Sequence, residues 1–185
     1  MLDICMPRIT HMGGATFTIL TCLFLYLFGQ AEAKVAAAEA FVTITGSQGI
    51  VQLFKNTINR KRPYLVIPEV HTFWRKLLKD CSFPSGHTTA GFSLAVIIAI
   101  HFPSYSYVSY SLATIVGVSR IYTGMHYPTD VLSGAFLGTG FAFLTQIVKR
   151  IPDKLEPGVI YISKIYKCAS HLCPCGGGNE IITPL

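Results

Sequence analysis

An all-α bundle of membrane-spanning helices is the fold that this sequence predicts, and three observations predict it. Hydrophobic residues make up 51% of the 185 and charged residues only 13%, where soluble domains carry roughly a quarter charged. Mean hydropathy is +0.48. Apolar stretches recur at about Met12–Phe28, Val35–Phe54, Thr88–Phe102, Tyr105–Ile121 and Val131–Val148, each near the roughly 17–25 residues that a spanning helix needs. Five such runs in one short soluble chain would leave too little polar surface to cover them.

The first stretch lacks a basic start, carries Asp3 and runs into the second without a small-residue cleavage site, so a retained helix is expected rather than a signal peptide. The second ends at Lys55. The third is short for a span unless its helix also takes in Ser85–His87, because polar groups at membrane depth are tolerated only where they face protein or water. The polar front of "CSFPSGHTTAG" is therefore expected at a helix terminus. The fourth stretch exits at Ser119 and Arg120, and Pro128 suits the first turn of the fifth. Residues 1–150 are expected to form the membrane-embedded domain, and 151–185 an interfacial, Cys- and Gly-rich tail.

Of the four connections, Gln30–Lys34 and the turn at Pro103–Ser104 are short, Lys55–Phe83 is long and basic, and Tyr122–Thr129 is rich in polar groups. Strict alternation puts the last two on the same side, so the polar chemistry gathers at one membrane face. Basic residues divide almost evenly between the faces once those in the long loop are discounted as functional, so the positive-inside rule leaves orientation open. A net charge of +6 would invite nucleic acid in a soluble chain. Between hydrophobic spans, phosphate-bearing lipid is the expected anion, and no nucleic-acid partner is expected.

Three polar clusters fall at same-side ends of the spans. "KNTINRKRP" offers Lys55 and Arg62 before Pro63, "PSGH" supplies Ser85, Gly86 and His87, and "SRIYTGMHYPTD" supplies Arg120, His126 and Asp130. This inventory suits a phosphoryl group: arginine forks onto two phosphate oxygens, lysine adds a point charge, and the free N–H groups of a helix start complement an anion. Ser85 can donate a hydroxyl, and Gly86 lets backbone approach closely. Two histidines permit a division between nucleophile and proton donor. Asp130, four residues after His126, can accept one ring N–H and fix the tautomer that leaves the other nitrogen free to attack.

The three clusters read as K-x6-R-P, P-S-G-H and S-R-x5-H-x3-D, complete and in order. In this the chain resembles the type 2 phosphatidic acid phosphatase superfamily, over roughly Val35–Val148. The resemblance implies an integral membrane lipid phosphatase, with His126 as nucleophile forming a phosphohistidine, Asp130 orienting it, and His87 protonating the leaving oxygen. It implies Lys55, Arg62, Ser85, Gly86 and Arg120 as the phosphate-binding set, and no metal or other cofactor. The implied substrate is undecaprenyl diphosphate, phosphatidylglycerophosphate or phosphatidate in a cell membrane, with the site facing outside the cytoplasm, the N-terminus outside and the Cys-rich tail inside. Members usually have six spans, three of them before the lysine motif, whereas two precede it here.

Other features have plainer readings. Arg60, Lys61, Arg75, Lys76 and Lys79 read as a solvated loop resting on the membrane surface, with Phe73 and Trp74 as an interfacial anchor. The threonines after His87 read as ordinary polar fill. Cys168, His171, Cys173 and Cys175 match no standard zinc spacing. Two functional alternatives stand beside the phosphatase: a non-catalytic lipid-binding scaffold of the same fold, and a serine hydrolase built on Ser85, His87 and Asp130. The second leaves Lys55, Arg62 and Arg120 unexplained, since acyl transfer needs neutral oxyanion donors rather than three cations.

Overall fold

The structure, a computed structural model, describes residues 2–70 and 81–149 together with the backbone of 161–163, 168–172 and 180–184. A short helix α1 (Leu2–Ile9) leads through a 3-10 turn at Thr10–Gly13 into α2 (Ala15–Phe28). Then follow α3 (Ala31–Thr57), the one-turn α4 (Pro63–Val66), α5 (Gly86–His101), α6 (Ser106–Tyr122) and α7 (Pro128–Lys149). The five long helices fall on the five apolar stretches. α3 runs 27 residues, about 40 Å at 1.5 Å per residue, and so carries Lys55 in its last turn. Among the described residues, α7 is the one helix long and apolar enough to cross a membrane by itself, and α1 with its 3-10 turn plus α2 form a second candidate bent by 56°.

Burial runs opposite to that of a soluble protein. Large apolar side chains point outward, with Phe28 75% exposed, Phe136 78% and Tyr107 88%, as suits an exterior solvated by lipid rather than water. Inside, alanine and small hydroxyl residues dominate, including Ala36, Ala40, Thr43, Ser47, Thr89 and Ser93. Thr43 and Thr89 return their hydroxyls to carbonyls one turn back, Glu39 O (2.7 Å) and Ser85 O (3.0 Å), and Ser93 donates across to Gly138 O of α7 (3.3 Å), so these donors are met within the protein. Small residues also let helices approach closely. A methyl at Gly134 or Gly138 of α7 would collide with the carbonyls of Ser85 and Thr89 on α5, which fixes the motif segment against α7.

α5 is central, packing on α2, α3 and α6. Because the helices alternate in direction, the C-terminal ends of α3 and α6 and the N-terminal ends of α5 and α7 share one end of the bundle. Pro128 is the first residue of α7, as its ring predicts. Pro63 opens a helix rather than merely ending one, since α3 has already stopped at Thr57.

Residues 147–185 cluster as a second compact unit. Strands β1 (Tyr161–Ser163), β2 (Cys168–Leu172) and β3 (Glu180–Pro184) pair antiparallel in that order, an element that the all-helical expectation did not include. Phe73, Trp74, Arg75, Lys76, Lys79, Cys173 and Cys175 lie outside the described residues, as does most of the expected interfacial segment at 158–167.

Candidate active site

The last turn of α3 delivers Lys55, the residue before α4 delivers Arg62, the first turn of α5 delivers Gly86 and His87, the last turn of α6 delivers Arg120, and the α6–α7 turn delivers His126. All six line one cavity of ≈ 520 Å³. The turn that carries His126 needs Gly124 in the left-handed region, at φ +69, where a Cβ is strained. His126 N–H and Met125 N–H both reach the Arg120 carbonyl, at 3.3 and 3.2 Å, so the arginine and histidine of one motif are tied by backbone.

His126 is buried, and its ring orientation follows from one contact. Nδ1 sits 2.7 Å from the Ser82 carbonyl; a carbonyl only accepts, so the proton is on Nδ1 and the lone pair on Nε2. Nε2 faces Arg62 Nη1 at 3.3 Å, and Arg62 also donates to Met125 O at 3.0 Å. Burial pushes the His126 ring down to about 4, and the Arg120 and Arg62 charges push the same way against the pull of Asp130. At neutral pH the ring is therefore uncharged.

Asp130 behaves differently from the expectation. Its nearer oxygen, Oδ2, is 3.7 Å from His126 Nδ1, too far for a hydrogen bond, and accepts the Tyr127 N–H at 2.9 Å. The tautomer is thus held by the Ser82 carbonyl, with the carboxylate behind it as a nearby charge. Asp130 Oδ1 is paired with Arg60 at 2.6 Å. Arg60 therefore does not belong to a merely solvated loop, because a fully buried carboxylate draws its guanidinium in.

Ser85 is also corrected in part. It is fully buried, its Oγ lies 2.9 Å from Thr88 Oγ1, and the cavity lining includes Gly86 but not Ser85. The threonines after His87 are not fill: Thr88 engages the Ser85 hydroxyl, and Thr89 Oγ1 donates to the Ser85 carbonyl at 3.0 Å. Ser85 N–H in turn reaches Asp130 O at 3.1 Å, stitching α5 to α7.

Further cavity residues escaped the sequence reading. Gln48 Nε2 donates to Gly86 O at 2.9 Å; its spacing of seven before Lys55, two helical turns, was the available signal. Behind the cavity wall, Thr10 Oγ1 accepts Arg120 Nη1–H at 2.9 Å, and no sequence pattern announces that contact. Below the polar groups the cavity wall turns apolar with Ile19, Cys22, Phe41, Ile44 and Ala90. Among the described lining residues are three cations, Lys55, Arg62 and Arg120, and no carboxylate. The arrangement suits an anion at the mouth of an apolar slot, beside one deprotonated ring nitrogen.

Comparison with known proteins points the same way. A family model described as "PAP2 superfamily" matches residues 36–152. Undecaprenyl-diphosphatase BcrC of Bacillus subtilis is 33% identical over 173 residues, covering 90% of this chain and 83% of that protein. A lipid A 1-phosphatase of Rhizobium johnstonii is 28% identical over 162 residues, 76% of this chain, and the match spans 65% of that relative's length. The crystal structure of Aquifex aeolicus LpxE superposes with a TM-score of 0.71 at 25% identity, over 79% of this chain and 86% of that one.

Proposed function

Because this chain belongs to the PAP2 superfamily, we propose that it hydrolyses a phosphate or diphosphate group from a membrane lipid through a phosphohistidine at His126. The carrying observation is the Nε2 lone pair of His126 beside a cavity that joins Lys55, Arg62 and Arg120 to an apolar wall. Such a cavity suits a ligand with an anionic head and a hydrocarbon tail.

In the first step Nε2 forms a bond to phosphorus while the bond from phosphorus to the lipid oxygen breaks, and His87 gives its proton to that oxygen. Lys55, Arg62, Arg120 and the Gly86 N–H stabilise charge on the equatorial oxygens. In the second step His87 takes a proton from water, the water oxygen bonds to phosphorus and the N–P bond breaks, releasing inorganic phosphate and the free ring. The lipid leaves as an alcohol from a monophosphate or as a monophosphate from a diphosphate. Phosphate monoester hydrolysis is slow enough uncatalysed that enzymes reach about 10²¹-fold acceleration, so covalent catalysis and preorganised cations both contribute. Neither step needs a metal, since protein cations meet the phosphate charge.

Ser85 supports the acyl-transfer alternative poorly, because its hydroxyl is turned to Thr88. The relatives' names, a lipid A 1-phosphatase and an undecaprenyl-diphosphatase, support a lipid phosphate as substrate. We assign the mouth to the extracytoplasmic face of a cell membrane and the catalytic unit to residues 1–150, with 151–185 as a separate tail. Purified protein in detergent is expected to release phosphate from undecaprenyl diphosphate or phosphatidylglycerophosphate with and without chelator. An inactive chain, or one silenced by chelator, overturns the reading.

A further inference from the structure

Arg60 lies in the gap of the first motif, between Lys55 and Arg62, yet it contacts both groups that surround His126 Nδ1. Its Nη1 holds Asp130 Oδ1 at 2.6 Å and reaches Thr129 Oγ1 at 2.8 Å. Its Cζ lies 4.0 Å over the Tyr127 ring, a cation–π contact that fixes the guanidinium plane. Its own carbonyl accepts the Ser82 N–H at 2.9 Å, and Ser82 is the residue whose carbonyl holds Nδ1. One residue thus fixes the neutral acceptor on the ring and restrains the charged one.

We propose that Arg60 is a positioning residue for the nucleophile. Its pairing with Asp130 keeps the carboxylate at 3.7 Å from Nδ1, leaving the ring N–H to a neutral carbonyl. This rests on the phosphohistidine reading above. A carboxylate relieved of Arg60 is drawn to the nearest donor, Nδ1–H. A direct charged hydrogen bond there makes Nε2 more basic, so in acid solution a larger share of the ring is protonated and unable to attack. The other charged or titratable groups around the ring, Arg62 before α4, Arg120 on α6 and His87 on α5, stay in position when Arg60 is replaced, so the change belongs to this pair. The role differs from phosphate binding, since Arg60 is not among the residues lining the cavity.

The test is Arg60→Gln, with Arg60→Lys and the neighbouring Lys61→Gln beside it. Turnover of undecaprenyl diphosphate in detergent is measured against pH, together with the ¹⁵N titration of histidine-labelled protein, assigned by the signal lost in His126→Ala. In Arg60→Gln the acid limb of kcat/KM and the His126 titration are expected to move up together by about one pH unit. At about pH 4.5, midway between the two titrations, turnover therefore falls about threefold relative to wild type, whereas at about pH 7, where the ring is neutral in both, kcat and KM stay within about twofold. Arg60→Lys, which keeps the charge but loses the fork, is expected to fall between, about half a pH unit up; Lys61→Gln is expected to match the wild type. If Arg60→Gln does not fold, the Arg60→Lys shift decides. An unmoved His126 titration overturns the proposal, as does a rise in KM with kcat intact, which would mark a substrate contact, or an equal shift in Lys61→Gln. The two readings fail separately: a wild type without turnover whose His126 titration still moves on Arg60 replacement retires the phosphatase and keeps the linkage.

Discussion

The two ends of α5 each carry a histidine, and their surroundings are opposite. At its start, His87 borders a cavity with Lys55, Arg62, Arg120 and His126 in its wall. At its end, His101 is packed between carboxylates, with Nε2 2.8 Å from Glu39 Oε2 and Nδ1 3.2 Å from Glu32 Oε1. Gln146 of α7 also donates to Glu39, so this cluster ties α3, α5 and α7 together. The polar groups at the His101 end find hydrogen-bond partners in one another, whereas the cavity gathers cations with no carboxylate among its described lining residues. The same residue type thus ties helices together at one end of α5 and lines a cationic cavity at the other, and the balance of its neighbours distinguishes the two.

Replacing His126 by Ala breaks the comparison hardest. Phosphate release is expected to fall at least about 10⁴-fold, while the protein still folds in detergent, with a thermal midpoint lowered by only a few degrees (about 1 kcal/mol) as the contacts to Ser82 O and Arg62 are lost. Arg62→Lys comes next. An ammonium cannot hold Met125 O and face Nε2 in one plane as the fork does, and kcat is expected to drop about 10²-fold. His101→Ala inverts both results. Turnover stays within about threefold, but stability falls by about 1–3 kcal/mol as Glu39 loses a buried partner, measured by thermal or denaturant unfolding in a fixed detergent. A stable, inactive His101→Ala would show that the distal cluster reaches the chemistry and would dissolve the distinction.

The helices and the cavity-lining motif residues were legible because each rests on a local signal. An apolar run of span length marks a helix, and the residue types at its ends mark the mouth. What was not legible depends on pairs far apart in sequence. Arg60 and Asp130 are separated by 70 residues, and His101 and Glu39 by 62. Whether such groups meet is decided by which polar atoms lose water when the helices pack, and hydropathy does not encode that. The 56° bend between α1 and α2 escaped for a related reason. It lies at Gly14, where the backbone is extended, next to Gly13, where a methyl would strike the His87 carbonyl, so the bend sits where the chain packs closely against α5. Ser85 misled because its residue type fits phosphate donation, whereas Thr88, three residues on, takes its hydroxyl inward.

The smallest expected effect is also the most specific to the catalytic end. His126 is held near pH 4, below the ordinary histidine value of 6.5, so between pH 6 and 8 its protonation barely changes and contributes almost nothing to the rate profile. Below about pH 5 the ring begins to take a proton, Nε2 loses its lone pair, and kcat/KM is expected to fall by up to tenfold per pH unit. In the proposed mechanism this limb belongs to His126, because protonating His87 would favour the first step rather than oppose it. Stability should move in the same direction. Between pH 6.5 and 4 the unfolded chain binds a proton at residue 126 that the folded chain excludes. This contribution is therefore fully present above pH 6.5 and is lost as pH falls through that window. In His126→Ala the fold should become less acid-sensitive than wild type in that interval, read from denaturant midpoints at pH 7 and pH 5. An unchanged difference between those midpoints would mean that the ring is already charged in the fold, and the argument for a neutral nucleophile would go with it.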